Sequence, residues 1–216
     1  MPDLFSSLPP AEAERVPLSD GAIILRGFAA GQDAFLLAAV QQIATTSPFR
    51  HMVTPGGFRM SVAMTNCGSA GWITDRRGYR YDAIDPETGH PWPAMPDVFA
   101  ELATSAAQVA GFNGFESDAC LINRYLPGAK LSLHQDRNER DYTAPIVSVS
   151  LGLPAQFLWG GAVRSERPRR IRLENGDVVV WGGPARLAFH GVDTLAAGHH
   201  PLTGECRINL TFRKAL

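Results

Sequence analysis

His134 and Asp136 stand one residue apart in LSLHQD, at the end of a stretch that alternates as a strand would. In an extended chain, residues i and i+2 share a face about 6.7 Å apart, so this imidazole and carboxylate can converge on one cation. Random placement of the chain's histidines and aspartates supplies about a third of one such pair, so the dyad alone is a weak signal. A held metal needs a third protein ligand, and His190, in LAFHGV at the end of another strand-like run, is the candidate. Two His and one carboxylate on one face of a metal form the facial triad of non-haem Fe(II) oxygenases, which leaves positions open for co-substrate and O₂. A zinc hydrolase can use the same ligands, and a hydrogen-bonded strand-end histidine is the plain alternative for His190. His51, His90, His199 and His200 lie in irregular or Gly/Pro-rich segments and read as surface residues.

RINLTFR decides between these chemistries. Arg207, Asn209, Thr211 and Arg213 fall on one face of a strand, and Ile208, Leu210 and Phe212 on the other. If the apolar face packs against an outer layer, the polar face carries two guanidiniums inward. Arginine stays charged, and an unpaired buried charge costs several kcal/mol. The strand is therefore either exposed on its polar side or meets an anion. Each arginine can grip a carboxylate through paired charge-assisted bonds. A dicarboxylate held on iron at one end and on an arginine at the other has the form of 2-oxoglutarate, and a zinc hydrolase has no use for such a strand.

These side chains must be carried by a chain of 216 residues, 45% of them hydrophobic, which is ample for a core. No apolar run is long enough for a membrane helix, and the acidic, proline-containing N-terminus does not read as a signal peptide. Cys67, Cys120 and Cys206 are too few and too scattered for a disulfide framework and read as reduced thiols of a cytoplasmic protein. With net charge -1 and pI ≈ 6.6, any nucleic-acid binding must use a local basic patch. VRSERPRRIR, with Arg164 and four more arginines, offers one; a solvated strand pair is the alternative.

The first half predicts two helices. GQDAFLLAAVQQIATTS places Phe35, Leu36, Val40 and Ile43 near a 3.6-residue period, and DVFAELATSAAQVAGF opens on Asp97 as N-cap. The segment from about 47 to 96 reads as short strands and turns lying over a surface without a core of its own. The second half is a series of short strands, with the ENGD turn at Glu174–Asp177 read as a hairpin signal. Helices followed by many strands give an α+β chain with a sandwich or barrel, of which the jelly roll is one form.

CLINRYLPGAKLSLHQD, APIVSVSLGLPAQF, GDVVVWGG, FHGV and RINLTFR, in this order and spacing, closely resemble the bacterial AlkB family of Fe(II)/2-oxoglutarate dioxygenases that repair alkylated DNA. SPFRHMVTPGGFRMSVAMTNCG and DPETGHPWPAMP resemble its N-terminal region, so the similarity runs from about residue 20 onward. The resemblance implies one catalytic domain over 1–216, with a nucleotide-recognition lid at about 47–96 and a double-stranded β-helix (jelly-roll) core at about 115–214. It implies Fe(II) on His134, Asp136 and His190. It implies 2-oxoglutarate held by Asn123, Tyr125, Arg207, Asn209 and Arg213, with O₂ as the second co-substrate. The implied reaction couples decarboxylation of 2-oxoglutarate, giving succinate and CO₂, to hydroxylation of an N-methyl group that then leaves as formaldehyde. Implied substrates are 1-methyladenine and 3-methylcytosine in single-stranded DNA, with duplex DNA reached by base flipping and RNA also accepted. A monomer with no membrane partner is expected.

An extruded base needs a stacking partner. Trp72 matches the family's stacking tryptophan and would sandwich the base against His134. Tyr79, Arg80 and Tyr81 of GYRY, with Thr54, Met60 and Met64, resemble the rest of the lid, and Arg164 adds positive charge. Two positions depart from the family. Asn138 stands where a second carboxylate is expected near the base edge, which predicts a shift toward neutral lesions bearing a carbonyl there, with Glu139 partly restoring the charge. Phe58 replaces a tyrosine and removes one lid hydroxyl. A 2-oxoglutarate oxygenase acting on a protein or small molecule would share the iron and arginine residues without needing Trp72 and GYRY. A non-catalytic nucleotide-binding jelly roll would need neither all three ligands nor both arginines.

Overall fold

The computed structural model describes residues 14–216. In chain order they form β1 (Arg15–Ser19), β2 (Ala22–Leu25), α1 (Asp33–Thr46), β3 (Ala63–Gly68), β4 (Gly71–Asp75), β5 (Gly78–Asp82) and α2 (Asp97–Val109). There follow β6 (Ala119–Tyr125), β7 (Leu131–His134), β8 (Ile146–Gly152), β9 (Ala155–Trp159), β10 (Arg169–Leu173), β11 (Val178–Trp181), β12 (His190–Val192) and β13 (Arg207–Arg213). A seven-stranded sheet runs β1-β2-β11-β8-β13-β6-β3, a four-stranded sheet runs β10-β9-β12-β7, and β4-β5 is a separate hairpin. The two sheets form the expected double-stranded β-helix, with two helices outside it.

Alternation along the large sheet creates the layers. Val147, Val149, Val178, Val180, Leu210 and Phe212 face Leu36, Val40 and Ile43 of α1 and Phe99 and Leu102 of α2. Phe99 meets Phe212 edge-on, with ring centroids 5.8 Å apart, a favoured aromatic geometry. On the inner face, Ile24, Ile146, Val179 and Trp181 pack with Phe157, Trp159 and Leu173 of the small sheet. β13 is central, between β8 and β6, and all seven of its residues are buried. Its polar face therefore looks into the sandwich, and the exposed-edge alternative falls.

Several expectations are corrected. Phe35 is 70% exposed, and the buried stripe of α1 is Leu36, Val40 and Ile43. Asp97 is the first helical residue of α2, Pro96 holds the cap position, and no side chain caps that end. The segment 47–96 is more than a covering layer: β3 pairs with β6 in the large sheet, and Met52, Val62, Met64, Ile73 and Trp92 form a core with Leu121 and Tyr125. ENGD is a turn but not a hairpin, because β10 pairs with β9 while β11 pairs with β2 and β8. What shapes that turn is the buried Asp177 carboxylate, which accepts from the Gly27 and Glu174 amides and from Arg26. Gly176 adopts φ 85° there, and a Cβ would lie 3.0 Å from the Ala30 nitrogen. The β1–β2 hairpin precedes α1 and was not anticipated, although the Asp20-Gly21 pair between apolar residues is a legible turn signal.

Candidate active site

β7 and β12 pair so that His134 and His190 lie directly opposite each other. Gly191 permits this approach, since a Cβ there would sit 2.6 Å from the Leu131 carbonyl oxygen. Asp136 follows two residues after His134, just beyond the strand end. One potential ligand atom from each of His134, Asp136 and His190 lies within 4.8 Å of the other two. His134 Nε2 is 3.7 Å from Asp136 Oδ1, and His190 Nε2 is 3.9 Å from Asp136 Oδ2.

The tautomers follow from the backbone. His134 Nδ1 lies 2.9 Å from the Ser132 carbonyl oxygen, and His190 Nδ1 3.0 Å from that of Ala188. Each Nδ1 carries a proton to donate, which leaves each Nε2 lone pair turned to the cluster. Burial, reinforced by His134, pulls His190 down to about 4, so its ring is neutral near pH 7. Burial opposes charge on Asp136, yet Arg213 and the two histidines hold its carboxyl well below the usual range. A neutral His190 imidazole beside an ionised Asp136 carboxylate is the pairing a divalent cation takes. The Trp181 ring, 4.8 Å from that of His190, packs against it.

Behind this cluster lies a polar floor. Arg213 donates from Nε to Asp136 Oδ2 at 2.9 Å, and its Nη2 completes the ion pair 2.7 Å from the same oxygen. Arg207 is 1% exposed and donates from Nη2 to Ser150 Oγ at 2.9 Å, with its guanidinium 5.0 Å over the Tyr125 ring. Its Nε and Nη1, and Asn123 Oδ1, have no partner among the described residues. Asn209 Oδ1 accepts from Asn123 and Thr211, while its Nδ2 donates to Ser148 Oγ and the Val149 carbonyl. A buried guanidinium with unmet N–H groups is costly unless an anion answers it. Both Fe(II) and a dicarboxylate therefore fit the residues present.

The proposed base-binding residues divide. Trp72 and Tyr79 stack on the β4–β5 hairpin, 5.7 Å apart at 22°. Tyr81 donates its hydroxyl to Glu139 Oε1 at 2.7 Å. Arg80 is occupied within the hairpin, its Nη1 and Nη2 bonded to Asp75. Thr54 closes a turn by accepting the Phe58 amide, and Phe58 is 77% exposed. The Met60 amide donates to the Met52 carbonyl. Met64 is 1% exposed, a core residue away from any lid surface. His51, expected at the surface, is half-buried, with Nδ1 2.8 Å from the Met60 carbonyl oxygen. Arg164 is exposed, but the basic run is partly neutralised: Arg170 pairs with Asp193 and Arg172 with Glu174.

Three features escaped the sequence reading. Ser148 and Ser150 line the polar floor, and their alternation with valines in VSVS was the available signal. Arg186 is 3% exposed and binds Glu139 Oε2 at 3.0 Å and the Asp136 carbonyl at 3.0 Å, with no local motif to mark it. Glu139 is buried between Arg186, Arg213 and Tyr81, so it is not a free charge standing in for the missing acid.

The family model described as the 2OG-Fe(II) oxygenase superfamily matches residues 21–213. The chain is 59% identical over 215 residues to alpha-ketoglutarate-dependent dioxygenase AlkB of Escherichia coli (strain K12), covering 100% of this chain and 98% of that protein. It is 35% identical over 140 residues to tRNA demethylase abh1 of Schizosaccharomyces pombe, covering 62% of this chain and 46% of that one. Among solved structures it matches that of OsALKBH1 with TM-score 0.82 and 30% identity, over 93% of this chain and 100% of the other.

Proposed function

Since the chain belongs to the 2OG-Fe(II) oxygenase superfamily and, within it, to the bacterial AlkB family, we propose that it removes N-methyl groups from bases of single-stranded nucleic acid. It is an Fe(II)- and 2-oxoglutarate-dependent dioxygenase. The lesions proposed are 1-methyladenine and 3-methylcytosine in DNA, with RNA accepted and duplex DNA entered by flipping the base. The same reading has the protein act as a single catalytic domain and a monomer, in the cytoplasm.

The observation that carries this reading is the pairing of two unmet demands in one interior: a converged His134–Asp136–His190 cluster and the unanswered N–H groups of Arg207. Bound Fe(II) and 2-oxoglutarate supply O₂-dependent hydroxylation of a methyl C–H, yielding succinate and CO₂. The residues then have separable tasks. His134 and His190 offer Nε2, and Asp136 offers Oδ1, because Arg213 occupies Oδ2. Arg207 would hold the far carboxylate of the co-substrate through charge-assisted bonds, with Asn123, Tyr125 and Asn209 beside it. Trp72 supplies a flat apolar face for the base. Tyr79 backs that face. Hydroxylation leaves an N–CH₂OH group, which expels formaldehyde and returns the N–H of the base. Catalysis on a protein or small molecule would leave the Trp72–Tyr79 stack without a use.

The test is a single-turnover reaction with Fe(II), 2-oxoglutarate, controlled O₂ and a short single-stranded DNA carrying one 3-methylcytosine. Repaired base and formaldehyde should appear together, require every addition, and vanish in His134→Ala. Succinate without repaired base would sink the substrate assignment.

A further inference from the structure

Immediately after Asp136 the chain turns back and grips the β4–β5 hairpin at three points. Asn138 Oδ1 accepts from the Trp72 indole N–H at 3.1 Å, and Asn138 Nδ2 donates to the Tyr79 carbonyl at 3.4 Å. Glu139 Oε1 accepts the Tyr81 hydroxyl at 2.7 Å. Glu139 is itself fixed by Arg186 at 3.0 Å and lies 3.5 Å from Arg213, whose other contact is Asp136. The aromatic hairpin and the carboxylate of the metal-ligand cluster are thus joined through one shared guanidinium.

We propose that Asn138 and Glu139 are positioning residues that latch the Trp72–Tyr79 platform to the Asp136 shell, so that base platform and ligand cluster take up one geometry together. The proposal rests on reading that hairpin as the base platform. Asn138 suits the task because an amide has both an acceptor and a donor. A carboxylate could still accept from the indole but would face the Tyr79 carbonyl with no proton to give. The departure from the expected acid is then a structural device of this chain, and Asn138 reaches the base edge only by releasing the hairpin.

The two grips differ in strength. Asn138 is exposed and its bonds are neutral, so that clasp opens at small cost. Glu139 is buried and its bond to Tyr81 is charge-assisted. Within the hairpin, Trp72 pairs directly with Tyr81, and Arg80 is bonded to Asp75, so the hairpin moves as one piece. A base can displace the Trp72 indole from Asn138 while Glu139 keeps the hairpin backbone anchored through Tyr81.

Backbone hydrogen–deuterium exchange over residues 71–82 tests this without any substrate. Asn138→Ala and Asn138→Asp should each speed exchange there by about five-fold, the factor an ordinary lost hydrogen bond is worth. Tyr81→Phe, which keeps the ring, should speed it about ten-fold or more. Amides of β6 and β13 should keep their wild-type rates. Unchanged exchange over 71–82, or an increase shared equally with β6 and β13, overturns the latch. Failure of the wild-type protein to repair any methylated oligonucleotide would instead overturn the proposed substrate and leave the latch standing.

Discussion

Arg213 donates from Nε to Asp136 Oδ2 and holds Nη2 2.7 Å from the same oxygen, so the other oxygen, Oδ1, is the one turned toward His134 Nε2. One side chain therefore settles both the charge of the carboxylate and which of its lone pairs is offered. Arginine is required, because lysine is a point charge that cannot form the planar two-pronged contact.

Arg213→Lys should weaken divalent metal binding by about 10- to 100-fold, the usual cost of losing a partner that orients a ligand. Mn(II) titration by calorimetry would measure it, with circular dichroism to establish that the variant is folded. Equal affinity in both proteins would contradict the orienting role.

Arg207→Met should raise the KM for 2-oxoglutarate by about 100-fold, because a charge-assisted bidentate contact is lost. Metal affinity should change little, since Arg207 contacts none of the three candidate ligands. Removing a buried guanidinium whose Nε and Nη1 lack partners should also leave the co-substrate-free protein no less stable. Thermal unfolding with and without 2-oxoglutarate would show both effects, and a large stability loss in the free protein would refute the assignment.

Trp72→Ala should raise the KM for a methylated single-stranded oligonucleotide by about 10-fold or more, from the ~1–3 kcal/mol that stacking on an aromatic ring provides. Succinate formed per base repaired should rise with it, because the co-substrate site remains while the base is poorly held. A KM within two-fold of wild type would remove Trp72 from the base site.

Asp85 links the stability of the segment it shares with Ser47 and Arg50 to pH. Burial opposes its charge, but hydrogen bonds from Arg50, Ser47 and the Glu87 amide outweigh this and lower it from 3.8 to about 2. A depressed carboxyl contributes stability above its unfolded value, and this contribution is lost as pH falls from about 4 toward 2. Asp85→Asn should therefore be less stable than wild type at pH 7, by on the order of 1–2 kcal/mol. The gap should narrow below pH 4. Urea unfolding at pH 7, 5 and 3.5 would reveal a gap that does not narrow, which would exclude this linkage.

β13 was the most legible element, because a period of two with arginine at both ends of its polar face admits few environments. The dyad at 134 and 136 was legible for the same reason, as strand geometry relates i to i+2. What escaped was partner choice. Asn-Gly announces a turn, but whether the flanking strands pair with each other depends on sheets assembled from distant segments. Phe35 lies close enough to the helical period to read as core, yet the apolar stripe of α1 runs past it. Arg80 read as a lid residue, and only the hairpin register brings Asp75 to occupy it. Glu139 looked like a spare acid, and only the fold brings Arg186 from 47 residues away to bury it.

Among the described strands, β13 comes last in chain order, yet it sits between β8 and β6 in the middle of the large sheet. During synthesis its two neighbours emerge first and must be held apart, or paired loosely, until it arrives. Pairings this distant in sequence make for slow folding. Until β13 inserts, neither Arg207 nor Arg213 is in place, so a nascent chain lacks the proposed co-substrate grip and the guanidinium that holds Asp136. The buried polar floor beneath the ligand cluster is thus completed only when the last-made of the described strands takes the central place in the sheet.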